Sequence, residues 1–314
     1  MARKIIIDCD PGQDDAVALL LAFASPDELD LLGITTVAGN VPLELTHRNA
    51  RMMCDIAGKQ DVPVYAGCAE PLVRKLKTAE AIHGQTGING LDVFEPVTPL
   101  QSEHAVDFII DTLMAADEAS VTLVPVGPLT NIATAINKEP AILSRIEQLV
   151  IMGGAMREGG NRTPSAEFNV LVDPQAADIV FRCGRPITAM GLDVTHQVLS
   201  TEDRVERIKA LDNPVATATA GMLSFFDRHD TKKYTSRGAP LHDPCTIAWL
   251  LRPELFEGKE CNISIETQSE LTMGHTAVDF WHVTDRPINV NWIYTVDADG
   301  FYDLLLERLA RFGE

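Results

Sequence analysis

The sequence predicts an α/β fold: one domain with a mostly parallel central sheet, helices on both faces, and an active site at the carboxyl ends of the strands. Three observations predict it. Short runs such as Ile5-Ile6-Ile7 carry no polar face, so they must be covered on both sides, as strands of a parallel sheet are. Stretches with helical spacing alternate with those runs along most of the chain. No repeat, low-complexity tract or Pro/Gly/Ser-rich linker divides the 314 residues, so residues 1–314 read as a single domain.

The elements follow in order. Residues 4–9 read as a buried strand and 14–24 as the helix after it. A strand over 31–37 leads to a helix over 42–57, with Gly58 at its C-terminal cap, where a left-handed residue ends a helix at least cost. A short strand at 64–66 comes next, and Ser102 is placed to cap a helix running to about residue 116. Strand 121–126, helix 129–137, strand 148–152, helix 174–182 and strand 186–190 continue the alternation. Beyond residue 200 the pattern turns helical, over 201–211, 214–226 and 244–251. Two β-rich runs, 262–266 and 288–296, precede a closing helix over 300–311.

Hydrophobic residues make up 46% of the chain and charged residues 23%, enough apolar material for a sizeable core. With 26 basic and 45 acidic residues the net charge is -19, which repels DNA, RNA and anionic membranes but not neutral small molecules. The six cysteines are scattered without a C-x-x-C pair, as in a reducing compartment. Asp8 interrupts any early signal core, and the apolar run 16–24 is too short to span a bilayer. These features point to the cytoplasm.

In an open parallel sheet, ligands bind beyond the carboxyl ends of the strands. The segment Asp8-Cys9-Asp10-Pro11-Gly12-Gln13-Asp14-Asp15 places four carboxylates there. Alternation puts Asp8 and Asp10 on one side of the strand, Pro11-Gly12 turns the chain, and Asp14 and Asp15 open a helix, so all four converge near one point. Helix capping accounts for one or two of them. Four buried like charges need a cation, and an all-oxygen set selects Ca²⁺ or Mg²⁺ over zinc.

The pattern D-x-D-P-G-x-D-D resembles the N-terminal signature of the inosine-uridine-preferring nucleoside hydrolases, which usually carry Thr where this chain has Cys9, a side chain expected to point away from the acids. Further blocks match in the same order. They are Val37-Ala38-Gly39-Asn40, His83-Gly84 with Gly87, Gly127-Pro128-Leu129-Thr130-Asn131, Met152-Gly153-Gly154, Glu167-Phe168-Asn169 and His242-Asp243-Pro244. Together they span residues 8–244.

The blocks also read physically. Asn40 is placed either to bind a neutral ligand or to orient a carboxylate, with a plain turn residue as the alternative. The break at Gly127-Pro128 exposes the Val126 carbonyl, unless it is only a strand-to-helix turn. Asn161, Glu167 and Asn169 offer the paired donors and acceptors a vicinal diol needs, although alone Glu167 reads as a surface acid and Phe168 as a core anchor. His242-Asp243-Pro244 reads alone as a helix start with Asp243 as cap. His196 reads as structural or supporting.

The resemblance implies more. It implies hydrolysis of the N-glycosidic bond of ribonucleosides, in nucleoside catabolism and purine and pyrimidine salvage, by a homodimer or homotetramer. One Ca²⁺ per subunit would be bound by Asp10, Asp15, Asp243 and the Val126 carbonyl, with Asp14 alongside. A water on that ion would attack the anomeric carbon while Asp10 accepts its proton. Asn161, Glu167 and Asn169 would hold ribose, together with Asp14, Asn40, Met152, Phe168 and Asp243, as the leaving base departs from an oxocarbenium-like sugar. His83 would face the base. His242, an imidazole titrating near neutral pH, would protonate it. Tyr234, Arg228 and Arg237 are candidates for the base side. The expected base preference is broad or leans to pyrimidines. The rivals are a calcium-dependent nucleoside or ribose binder without catalysis, and a Mg²⁺-dependent phosphohydrolase with an aspartate nucleophile; no Lys or Arg follows the acids closely enough to favour the latter.

Overall fold

A computed structural model describes residues 2–234 and 238–313, the side chains of 226–234 excepted. In chain order the elements are β1 (Arg3–Cys9), α1 (Gln13–Phe23), β2 (Leu29–Thr36), α2 (Leu43–Ile56), β3 (Val64–Ala66), α3 (Glu80–His83), α4 (Ala105–Ala115), β4 (Val121–Pro125), α5 (Thr130–Lys138), β5 (Ile146–Met152), α6 (Phe168–Val172) and α7 (Pro174–Phe181). There follow β6 (Ile187–Met190), α8 (Leu192–Thr195), β7 (Leu199–Thr201), α9 (Glu202–Lys209), α10 (Pro214–Tyr234), β8 (Gly238–Pro240), α11 (Pro244–Leu251), β9 (Phe256–Ile265), β10 (Thr276–Asp279), β11 (Val290–Val296) and α12 (Ala298–Ala310).

Among the described residues, nine strands form one sheet in the order β10-β9-β11-β6-β5-β4-β1-β2-β3. The run from β3 to β11 is parallel, and β9 and β10 close it antiparallel. The strands are apolar on both faces because both are covered. Ile5, Ile7 and Cys9 of β1 pack into a core with α1, α2, α11 and α12, whereas Ile6 packs into a second core with α4, α5 and α7. Val124 and Val150 go to the first core, and Leu123 and Leu149 to the second. Each fully buried Ile or Leu contributes about 1.5–3 kcal/mol. Cys9 thus points away from Asp8 and Asp10, as alternation requires.

The chain leaves β1 toward β2 and β3 on one side, then crosses to β4 on the other. Loops that diverge between neighbouring strands leave a crevice at their carboxyl ends. Here the divergence lies between β1 and β4, beneath the acidic segment.

The structure corrects several sequence expectations. The cap of α4 is His104, whose side chain accepts from the Val106 N–H, and not Ser102. Thr201 caps a shorter helix, α9, after serving as the last residue of β7. Gly58 does follow α2 in the left-handed region, at φ +64°. The strands β7, β8 and β10 and the short helices α3, α6 and α8 carry too few residues for a readable period. No helix among the described residues is long and apolar enough to cross a membrane.

Candidate active site

The parallel pairing puts Asp8 of β1 opposite Thr35 of β2 and Pro125 of β4. Its Oδ1 accepts from Thr35 Oγ1 at 2.6 Å and from Asn131 Nδ2, at the start of α5, at 2.8 Å. Burial pushes its pKa up to about 7, partly offset by those two donors. Asp8 is therefore an anchor between strands and α5, not a full member of the converging cluster that alternation suggested. Its Oδ1 is spent on neighbours that only the folded sheet supplies, while its Oδ2 is buried with no hydrogen-bond donor among the described residues.

Asp10 lies one residue beyond β1 and is 1% exposed. Its Oδ2 accepts the Asn40 backbone N–H at 2.7 Å, and its Oδ1 is buried with no hydrogen-bond donor. Two glycines flank this carboxylate. A Cβ on Gly39 would fall 2.1 Å from Oδ2, and one on Gly127 would fall 2.4 Å from Oδ1. Asp15, in the first turn of α1, accepts from the backbone N–H groups of Asp10 and Gly12, both at 3.0 Å, and from Asn40 Nδ2 at 3.2 Å. Asn40 thus orients two carboxylates, one of the roles open to it in the sequence.

Far along the chain, Asp243 at the start of α11 returns to this point. Ligand oxygens of Asp14, Asp15 and Asp243 all lie within 4.8 Å of one another, and all three residues are buried. Asp243 makes no side-chain cap on α11, so the plain capping role does not apply. Asp10 stands outside that threesome, with one of its oxygens held by Asn40. Burial first, and then the neighbouring carboxylates, raise the pKa of Asp10 and Asp243 well above the usual carboxylate range. A buried carboxylate oxygen without a donor is costly unless a cation meets it. The orphaned Asp10 Oδ1 and the mutual crowding of the acids both fit a divalent ion held by hard oxygen ligands.

The acids border a cleft walled by Asp14, Asn40, His83, Val126, Met152, Asn161, Glu167, Phe168, Asn169, His242 and Asp243. Ala79, Ile82 and His196 complete the wall. Asp10 and Asp15 are not part of the wall. Asn169 Nδ2 donates to the Val126 carbonyl at 2.7 Å and to the Met152 carbonyl at 3.3 Å. The Val126 oxygen keeps a second lone pair but is not the bare ligand the turn suggested. Glu167 is 2% exposed, not a surface acid. It caps α6, with Oε1 accepting from the Asn169 N–H at 2.8 Å and Oε2 from the Gly154 and Val170 N–H groups at 3.0 and 3.2 Å. Asn161 Oδ1 accepts the Phe168 N–H at 2.9 Å, so this loop is tied at both ends of its motif.

Three imidazoles face the same cleft. His242 Nδ1 pairs with Thr195 Oγ1 at 2.7 Å. Burial, then His196 and His83, hold His242 well below the usual imidazole range. It is neutral at pH 7, which corrects the expectation that it titrates there. His196 Nδ1 lies 3.1 Å from Glu158 Oε2, and its ring centroid is 5.8 Å from that of His242. It is a wall residue, not merely a support. His83 Nδ1 lies 2.7 Å from Gln13 Oε1. The Tyr234, Arg228 and Arg237 side chains lie outside those described.

Sequence reasoning missed Ala79, Ile82, Gln13 and Thr195. Ile82 lies in a helix of one turn and Ala79 just before it, with no period to read. Gln13 carried a signal, as a polar residue opening the helix after β1, whereas Thr195 ends a four-residue helix, α8, too short to read.

A crevice at a sheet switch point, walled by carboxylates, amides and imidazoles, defines an α/β enzyme acting on a small polar molecule. Comparison with known proteins gives the family. Residues 5–303 match the family model described as inosine-uridine preferring nucleoside hydrolase. The chain is 50% identical over 313 residues to the pyrimidine-specific ribonucleoside hydrolase RihA of Photobacterium profundum, covering 99% of this chain and 100% of that protein. It is 52% identical over 308 residues to an uncharacterized protein of Schizosaccharomyces pombe, covering 98% and 99% of the two. Among solved structures, the plant nucleoside hydrolase PpNRh1 superposes with TM-score 0.92 at 31% identity, and the purine-preferring ribonucleoside hydrolase from Gardnerella vaginalis with 0.91 at 33%, each covering 99% of both chains. The chain belongs to the inosine-uridine preferring nucleoside hydrolase family. It is a ribonucleoside hydrolase.

Proposed function

We propose that this enzyme hydrolyses the N-glycosidic bond of ribonucleosides with a preference for pyrimidines, using one Ca²⁺ per subunit held by Asp10, Asp15, Asp243 and the Val126 carbonyl. The observation that carries the reading is the meeting of Asp14, Asp15 and Asp243 oxygens within 4.8 Å, beside a buried Asp10 oxygen that lacks a donor. The bound ion supplies positive charge that lets these carboxylates stay ionised together and polarises a water beside them.

Asp10 accepts the proton of the attacking water. The new bond forms between the water oxygen and the anomeric carbon while the bond from that carbon to the base nitrogen breaks, and the base leaves with its electron pair. One carboxylate base without a carboxylate nucleophile gives direct displacement with inversion. Asn169 is fixed by the Val126 and Met152 carbonyls, and with Asn161 and Glu167 it forms the ribose side of the cleft. Contacts there act by favouring the distorted, oxocarbenium-like sugar over the ground state. His242, neutral in its buried setting, assists the base by hydrogen bonding in preference to carrying a full positive charge.

Identity of 50% to a pyrimidine-specific enzyme, against 33% to a purine-preferring one, supports the pyrimidine lean. No Lys or Arg is among the described residues of the wall, which argues against a phosphoryl substrate. A homo-oligomer, a cytoplasmic site and a role in nucleoside catabolism and salvage complete the proposal. The six cysteines are all free, as a reducing compartment requires.

The test is a turnover panel of the five common ribonucleosides with calcium, and with chelator followed by calcium. Base release from uridine and cytidine that is lost on chelation and restored by calcium is the expected result. No base release from any of the five rejects the reading in favour of a binder. Full activity after exhaustive chelation rejects the metal.

A further inference from the structure

One side chain joins two walls of the cleft. The turn that carries Asn161 and leads to Phe168 is held by its own atoms. The Gly160 N–H donates to Pro164 O and the Arg162 N–H to Ala166 O, both at 3.2 Å, and Asn161 Oδ1 accepts the Phe168 N–H at 2.9 Å. A Cβ on Gly160 would fall 2.2 Å from Thr163 O and 2.3 Å from Ala166 N, so the turn closes this tightly only around glycine. From this fixed turn the exposed side chain of Arg162 crosses to the other wall. Its Nη2 donates to Thr78 O at 3.0 Å, and its Cζ stands 6.0 Å from the centroid of the Phe168 ring. Arg74, Lys75 and Lys77 line the hollow beside Arg162, and no carboxylate lines it to draw the guanidinium away from Thr78.

The wall that Arg162 reaches cannot hold its own shape. Ala79, Ile82 and His83 line the cleft, and α3 is one turn of four residues, far below the length at which a helix is stable alone. Ties from outside place it. The Ala79 N–H donates to Asn40 O at 2.9 Å, and Gln13 Nε2 donates to His83 O at 3.1 Å. Ala79 also packs with Leu76 against Phe168 and Val172, in a small apolar cluster apart from the two main cores. Arg162 adds a tie at Thr78, the residue before Ala79, and stands over the same Phe168 ring.

We propose that Arg162 is a positioning residue that clasps the wall segment 78–83 to the turn at 160–168 and so keeps the cleft in its binding-competent form. Arg162 is outside the cleft wall and acts through Thr78 and Ala79. The inference rests on the nucleoside-hydrolase reading for its kinetic arm, and goes beyond it by naming a residue outside the cleft that sets substrate affinity. The segment has few ties, so its released form lies close in free energy. Releasing it raises the apparent dissociation constant in inverse proportion to the fraction that stays closed. Loss of an exposed charge-assisted hydrogen bond and a ring contact at its limiting distance should favour release by about threefold to tenfold.

The experiment uses the full chain with two variants. Arg162→Met keeps an unbranched apolar stem near Phe168 and has no donor. Arg162→Lys keeps a cation and a donor. In the first arm, backbone hydrogen exchange is followed at Ala79, Ile82 and His83, whose N–H groups are bonded to Asn40 O, Ala79 O and Ala79 O. Exchange at these three should speed by about threefold to tenfold in Arg162→Met, with β1 and β4 unchanged. Unchanged exchange in the segment overturns the proposal. So does an equal acceleration in β1 and β4, which would mean a loss of global stability.

In the second arm, KM and kcat are measured for uridine. KM should rise by about twofold or more in Arg162→Met, with kcat little changed, and Arg162→Lys should recover part of the rise. A smaller rise in KM overturns the proposal, as does a loss confined to kcat, which is what a partly unfolded sample would show. A KM in Arg162→Lys equal to that in Arg162→Met overturns it too. Failure of wild-type uridine hydrolysis would instead strike the underlying substrate reading, and the exchange arm would still decide the clasp.

Discussion

Replacing Gly39 by alanine tests whether the placement of Asp10, not merely its presence, drives turnover. The added Cβ would fall 2.1 Å from Asp10 Oδ2, 2.8 Å from its Cγ and 2.9 Å from Pro128 Cδ. Gly127 borders the other oxygen closely enough that a Cβ built there would fall 2.4 Å from Oδ1, so the carboxylate sits between two glycines. Gly39 is not in the left-handed region, so the effect is steric and not a matter of backbone conformation. Overpacking of this kind costs about 1–3 kcal/mol, offset by about 0.4–1 kcal/mol from the stiffer unfolded chain. The melting temperature should fall by a few degrees at most. Relief comes from swinging Asp10 away from the Asn40 N–H, now 2.7 Å from Oδ2. Displacing a catalytic group by about 1 Å costs on the order of 10²-fold, or about 2.7 kcal/mol of barrier. Initial rates of uridine hydrolysis, alongside a thermal melt followed by circular dichroism, measure both quantities. A kcat within threefold of wild type in a folded protein would refute the reasoning.

Other substitutions probe the remaining parts of the site. Asp10→Ala should abolish turnover and weaken retention of the metal, measured by base release and by metal content after gel filtration; near-normal hydrolysis removes Asp10 as the base. Asn169→Ala should lower kcat on ribosides sharply, since its amide is fixed by the Val126 and Met152 carbonyls. A change confined to KM would mean that it grips the ground state and transition state equally. His242→Ala should reduce hydrolysis of nucleosides more than that of p-nitrophenyl riboside, whose leaving group needs no help; equal losses on both remove His242 from assistance to the base.

The layered α/β architecture was legible in the residues alone, because strands such as Ile5-Ile6-Ile7, apolar at successive positions, have one stable setting between two helical layers. It also determined where the chemistry lies, since parallel strands expose their carboxyl ends and the polar blocks fall just past them. Short elements stayed hidden. The strand β10 and the helix α3 have four residues each, too few to show a period. What each polar atom does was decided by the tertiary structure alone. The choice of Asp14, Asp15 and Asp243 as the meeting carboxylates, with Asp8 drawn off to Thr35 and Asn131, depends on contacts between residues distant in sequence. So do the low pKa of His242, which follows first from its burial, and the engagement of the Val126 carbonyl by Asn169. Local pattern fixes which groups can approach a strand end, while their partners, charge states and free lone pairs follow from neighbours that only the packed chain brings together.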